Sequence, residues 1–153
     1  MRRAGEHLAS YTVMRRLAAA YDAASSGTRG ARIVVGLPPG SRHEPGALAF
    51  AVAACRNGLR AASVGADLPT RDGATAVPTQ RARAVVLAVH LEADLPALTT
   101  VVEYLRVAEP QLLVAVGGAQ QDRAPQGCLR LGHEIGAGAV LLAEALGVTT
   151  GDP

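Results

Sequence analysis

The chain has 153 residues, 49% of them hydrophobic and 18% charged, which is material for one domain with a full core rather than for a disordered segment. A net charge of +2 is too small to argue for nucleic acid, and all fifteen basic residues are arginine, which fits the coding bias of a GC-rich genome better than a built anion site. With one Phe, three Tyr and no Trp, the core has to be aliphatic.

Residues 6–23 read as a helix, because Leu8, Tyr11, Met14, Leu17, Ala18 and Tyr21 recur at three- and four-residue steps and form one apolar stripe. "SSGTRG" (25–30) has the composition of a linker, so the first segment is expected to be a helix tethered in front of a domain, dividing the chain into 1–27 and 28–153. "ARIVVGL" (31–37) is β-branched and continuous rather than alternating, as a strand buried on both faces should be. Residues 45–57 read as a helix, with Pro45 in the first turn and Gly58 suited to the C-terminal cap. "AASVG" (61–65) is a second short strand, and 70–80 a helix interrupted by Gly73 and Pro78. "ARAVVLAVHL" (82–91) is a third strand. Residues 94–107 form a helix with Leu95, Leu98, Val101, Val102 and Leu105 on one face and Pro96 in its first turn. "QLLVAVGG" (111–118) is a fourth strand ending in paired glycines, "CLRLG" (128–132) a short fifth, and 134–146 a last helix; only the tail "TTGDP" looks unstructured.

Strands that alternate with helices imply a parallel sheet with helices on both faces, because parallel strands need crossover connections. Five strands fit the flavodoxin-like, doubly wound (Rossmann-like) arrangement, preceded here by one N-terminal helix. Cys55 and Cys128 lie far apart and outside any CxxC spacing, so two reduced, mostly buried thiols of a cytoplasmic protein are expected. Gly5, Glu6 and His7 interrupt any apolar leader, and no apolar run approaches the roughly 20 residues that span a bilayer.

In this architecture ligands bind beyond the carboxyl ends of the strands. The loops there carry His43 and Gly46 after the first strand, Ala66–Pro69 after the second, Ala88, Val89 and His90 at the end of the third, and Gly117 and Gly118 at the end of the fourth. A histidine on a loop is ordinarily a solvated or hydrogen-bonded surface residue, and a Gly-Gly an ordinary tight turn. His90 reads as packing or hydrogen bonding, and His133 as a cap on the last helix. Known chemistries of the fold fit poorly. GxGxxG is absent from the first turn, no lysine exists for a P-loop, and no nucleophile elbow is present, so catalysis is not expected. A phospho-acceptor Asp is missing after the third strand, where His90 and Leu91 stand, and His7, His43, His90 and His133 have no zinc-ligand spacing. A metal that needs one protein nitrogen remains. A corrinoid ring supplies four nitrogens to cobalt and leaves an axial position for a single imidazole.

The residues carry a resemblance to that class. "HEPG" (43–46) matches the His-x-x-Gly core of the cobalamin-binding domain shared by corrinoid methyl carriers, mutases and photoreceptor regulators, and "GG" (117–118) matches the glycine pair beside the buried nucleotide tail. "PPGSRHEPGAL", "VGADLP" and "EHLAS" (6–10) resemble most closely the light-responsive, MerR-type transcription regulators that bind adenosylcobalamin. The resemblance implies a cobalamin-binding sensory module, with adenosylcobalamin or another cobalamin held base-off and His43 as the lower axial cobalt ligand. It implies that Gly46, Gly117 and Gly118 make room for the displaced dimethylbenzimidazole tail, and that Glu6 and His7 face the upper ligand. Two positions depart from the family: Ser41 stands where an acidic residue usually orients the ligand histidine, and Ala88 where a serine is usual. Losing such support from a metal-bound histidine typically costs about 10–100-fold in affinity.

The family's winged-helix DNA-binding domain and Trp-containing four-helix cap have no counterpart here beyond that one helix. Direct DNA binding by this chain is therefore not expected, while a protein partner or self-association is. The alternatives are a corrinoid methyl carrier or mutase subunit, and a degenerate flavodoxin-like module used for protein contacts.

Overall fold

The structure, a computed structural model, describes residues 2–26, 29–64 and 81–148, with side chains from residue 10 onward. The helix expected over 70–80, the loop 66–69 and the tail 149–153 lie outside the described residues. Five strands, β1 (Arg32–Gly36), β2 (Arg60–Ser63), β3 (Ala84–Ala88), β4 (Leu113–Gly117) and β5 (Leu129–Arg130), form one sheet in the order β2-β1-β3-β4-β5. Every pairing is parallel, with Val35 opposite Val86 and Val86 opposite Ala115 in the centre. The helices are α1 (Arg2–Ser25), α2 (Glu44–Arg56), α3 (Leu95–Ala108) and α4 (Ile135–Ala145). This is the flavodoxin-like fold expected from the alternation of elements. Strands three and five are shorter than the apolar runs that announced them. A strand ends where its ladder partners end, and β5 pairs with β4 only through Leu129 and Arg130.

Alternate residues of the strands feed two cores. Val34, Val85, Leu87, Val114 and Val116 meet Leu98, Val101, Val102 and Leu105 of α3 on one face. Ile33, Val35, Val86, Ala88 and Ala115 meet α2 and α4 on the other. The apolar face read for α3 is the buried one, and Gly58 takes the positive φ (+84°) that a residue just past a helix end needs.

The N-terminal helix differs from expectation. It runs longer at both ends than 6–23, and its apolar stripe is not buried along its length: Tyr11 is 63% exposed and Ala18 is exposed. Its C-terminal part docks, with Tyr21 and Ala24 packed against the α2–α4 core and the Tyr21 hydroxyl donating to the Ala61 carbonyl. Burial pushes the Tyr21 phenol above its usual pKa. No helix among the described residues is long and apolar enough to cross a membrane.

Candidate functional site

In the order 2-1-3-4-5 the chain leaves β1 toward one face and β3 toward the other, so the loops after β1 and β3 part and open a crevice between neighbouring strands. His43 stands on the first loop and His90 on the second. They are 47 positions apart in sequence, yet their rings lie 4.4 Å apart centre to centre, tilted by 58°. His43 occupies the N-cap position of α2 but makes no side-chain capping bond there, and its ring is exposed. His90 is half-buried. Its Nε2 is inaccessible to water and has no hydrogen-bond partner. Burial first, then the neighbouring His43, hold the His90 imidazole below its usual pKa against the opposite pull of Asp94.

Two residues before His43, Ser41 is 3% exposed. Its N–H donates to the Pro38 carbonyl at 3.1 Å, closing the Pro-Pro-Gly turn, and its hydroxyl donates to Asp94 Oδ2 at 3.1 Å. Asp94 is itself buried, in the 3-10 turn (Glu92–Asp94) that leads into α3. The hydroxyl at position 41 thus fixes the histidine loop to the far side of the crevice. The charge of the Asp94 carboxylate also acts on His90.

Behind the rim, on the α2–α4 face, a cleft of about 210 Å³ opens between the sheet and these two helices. Val35, Val86, Ala88 and Gly117 form its floor, Gly46, Ala47 and Phe50 of α2 one wall, and Leu131 and Gly138 the other. The small residues are what leave the space. Gly118 is a glycine for backbone reasons: φ is +97°, and a Cβ would stand 2.3 Å from the Val89 carbonyl oxygen. Gln121, 1% exposed, holds the cleft's far lip by donating to the Gly118 carbonyl at 3.2 Å and accepting from the Gly132 N–H at 2.7 Å. His133 lies at the mouth beside Gln121, with its Nδ1 at 3.4 Å from Nε2 of that side chain. It does not cap the last helix: Glu134 is the N-cap of α4, without a side-chain capping bond.

The structure therefore brings Ser41, His43, Gly46, Ala88, Gly117 and Gly118 to one rim and the cleft beneath it. Glu6 and His7 fall within α1, and their side chains lie outside the described residues. Sequence reasoning missed Asp94 and Gln121, and it did not pair His90 with His43. Cys55 is buried in α2. Cys128 is half-buried just before β5 rather than within it, and burial raises its thiol pKa against the pull of Arg106 and Arg130.

These residues fit a base-off corrinoid. An uncapped imidazole is free at the switch point, an inaccessible nitrogen beside it lacks a partner, and the cleft is apolar. An apolar cavity of roughly 150 Å³ already accepts benzene, so an open-ended cleft of about 210 Å³ admits a larger aromatic base.

No family model matches the chain. Over 66 residues it is 41% identical to the HTH-type transcriptional repressor CarA of Myxococcus xanthus, a match that covers 43% of this chain and 23% of the repressor. Solved structures that share its fold include three corrinoid-related proteins. A cobalamin-binding protein of Desulfitobacterium hafniense superposes with a TM-score of 0.66 at 21% identity, over 74% of this chain and 58% of the other. The methanol:cobalamin methyltransferase complex MtaBC of Methanosarcina barkeri gives 0.69 at 21% identity, over 82% and 51%. The monomethylamine corrinoid protein of the same organism gives 0.67 at 11% identity, over 82% and 63%. The chain thus spans less than a quarter of the repressor and between half and two-thirds of the structural relatives. Sequence and fold together bear out the resemblance read from the motifs.

Proposed function

We propose that this chain, which has the fold of the cobalamin-binding proteins and resembles in sequence the cobalamin-binding domain of MerR-type regulators, binds a cobalamin base-off and serves as a sensory module. The observation that carries the reading is the apolar cleft lying behind an exposed, uncapped His43 at the topological switch point. His43 would hold the cobalt through its imidazole. Gly46, Ala88, Gly117 and Gly118 leave room for the nucleotide tail, and Ser41, anchored on Asp94, fixes the loop from which His43 projects. Glu6 and His7, on α1, belong to the side of the upper ligand, and residues 1–27 correspond to the last helix of a cap. When bound, adenosylcobalamin supplies a cobalt–carbon bond that light can break. The protein's part is to exclude water from the tail, hold the imidazole, and pass a change in packing to a partner or a second copy.

The test is retention. Purified protein is mixed with adenosylcobalamin in the dark, free ligand is removed, and the visible spectrum recorded. Retained colour with histidine-ligated cobalt is expected. His43→Ala should lose that signature while changing stability by no more than about 0.5 kcal/mol, because the side chain is exposed. A protein that emerges colourless, or a His43→Ala spectrum identical to the parent's, overturns the reading.

The two Methanosarcina structures favour a second reading, a corrinoid carrier that presents cobalt to a partner enzyme. Illuminating the loaded protein and following its oligomeric state separates the two: a light-dependent change supports the sensor, and an unchanged state the carrier.

A further inference from the structure

We propose that His90 is a positioning residue for His43, its Nε2 accepting a hydrogen bond from the ring nitrogen of His43 that does not face the metal. The inference rests on the reading of His43 as cobalt ligand, and it names the side chain that replaces the acidic partner missing at position 41. An imidazole that binds a metal through one nitrogen carries a proton on the other, and that N–H needs an acceptor to fix the tautomer and orient the ring. The Ser41 hydroxyl donates its proton to Asp94, which ties it to the turn after β3. His90 is the aromatic neighbour of His43, with ring centres 4.4 Å apart.

Its Nε2 is screened from water and lacks a partner, an unfavourable state for a buried polar atom. Such an atom calls for a hydrogen-bond partner acquired in another state of the molecule. Protonated on Nδ1, the His90 ring offers at Nε2 a lone pair. Gly46 leaves the space this ring uses, since a Cβ there would stand 3.3 Å from Nε2 and 3.5 Å from Cε1. The His-x-x-Gly spacing thus serves two neighbours at once: its histidine holds the metal, and its glycine makes room for the side chain that steadies the histidine. His43, exposed and without a capping bond, has room to turn its ring.

The substitution series is His90→Leu, which removes the acceptor, and His90→Gln, whose amide oxygen can stand near the place of Nε2. Both are loaded with cobalamin and compared with the parent by visible spectroscopy and by equilibrium retention. His90→Leu is expected to keep the tail-binding cleft but to shift cobalt from histidine-on toward histidine-off absorption, with affinity reduced about 10–100-fold. His90→Gln is expected to recover most of the histidine-on spectrum. A His90→Leu spectrum and affinity equal to the parent's overturn the proposal, as does a loss that His90→Gln does not relieve when both variants unfold like the parent.

A second readout needs no cobalamin. Long-range ¹H–¹⁵N spectra of the imidazoles in the free protein should show His90 protonated on Nδ1 and bare on Nε2, and the opposite tautomer overturns the proposal. If the parent retains no cobalamin, the function reading falls, and the tautomer alone then decides the state of His90.

Discussion

The two faces of the sheet are built from the same five strands and have opposite characters. On the α3 face the inward residues are Val34, Val85, Leu87, Val114 and Val116, and they interlock with Leu98, Val101, Val102 and Leu105. On the α2–α4 face the corresponding positions toward the carboxyl ends shrink to Ala88, Ala115 and Gly117, and the helices opposite contribute Gly46, Ala47 and Gly138. The first face is filled with β-branched and leucine side chains that resist deformation. The second trades that filling for an opening at the rim. Close packing and open space are thus divided between faces, and substitutions on each should move different observables.

The largest effect on folding belongs to the closed face. Leu98 is fully buried against β-strand valines, so Leu98→Ala should lower the unfolding free energy by about 2–5 kcal/mol, as measured by chemical denaturation. Ligand retention measured well below the denaturation midpoint should stay near the parent's. A Leu98→Ala protein that folds with parental stability would show that this face is not the closed core described.

Next comes the clamp between the faces. Ser41→Ala removes the hydroxyl that Asp94 accepts and leaves a buried carboxylate short of a partner, at a cost of about 1–3 kcal/mol. Because Ser41 anchors the His43 loop, this variant should also weaken cobalt ligation. Asp94→Asn, which can still accept from Ser41, should lose less stability than Ser41→Ala. Equal stability of Ser41→Ala and parent by thermal unfolding would remove Ser41 from the anchoring role.

The cleft itself is tested by filling it. Gly117 lies in a strand with extended backbone, and a Cβ there would meet only Leu131 at 3.8 Å, an ordinary contact. Gly117→Val should therefore change stability by less than about 1 kcal/mol while occupying the space assigned to the tail. Cobalamin retention should fall by tenfold or more, roughly 1.4 kcal/mol. A variant that folds and still retains the ligand as the parent does would show that the tail lies elsewhere.

The difference between faces also explains what the sequence revealed. Continuous β-branched runs such as "ARIVVGL" and the 3.6-period apolar face of α3 report burial directly, and the alternation of strand and helix implies a parallel sheet, so sheet and rim were readable. The cleft was readable only through motifs, since a row of small residues looks the same in sequence whether it packs tightly or leaves space. The side chains that tie the rim together were not readable. Ser41 and Asp94 are 53 positions apart, and no periodicity points from one to the other. The α1 stripe misled because an apolar period shows that a helix can be buried, not what covers it. Among the described residues of this helix, Tyr21 and Ala24 pack against the core.

The smallest effect lies on the exposed edge of the closed face, where the loops after β3 and β4 are joined by the Arg123–Glu92 pair at 2.7 Å. The hydrogen bond and charge of Arg123 hold the Glu92 carboxyl below its usual pKa. A carboxyl depressed in the folded state contributes its stabilisation fully above the unfolded value, near pH 4.3. That contribution is lost as the pH falls through the folded value. Glu92→Gln should therefore differ from the parent slightly at neutral pH and merge with it in acid, and because both side chains are largely exposed, salt should erase the difference at any pH. A large, salt-insensitive loss would mean that the pair holds the rim in shape. The division between a face that stabilises and a rim proposed to bind would then need a third part, the outer latch between the β3 and β4 loops.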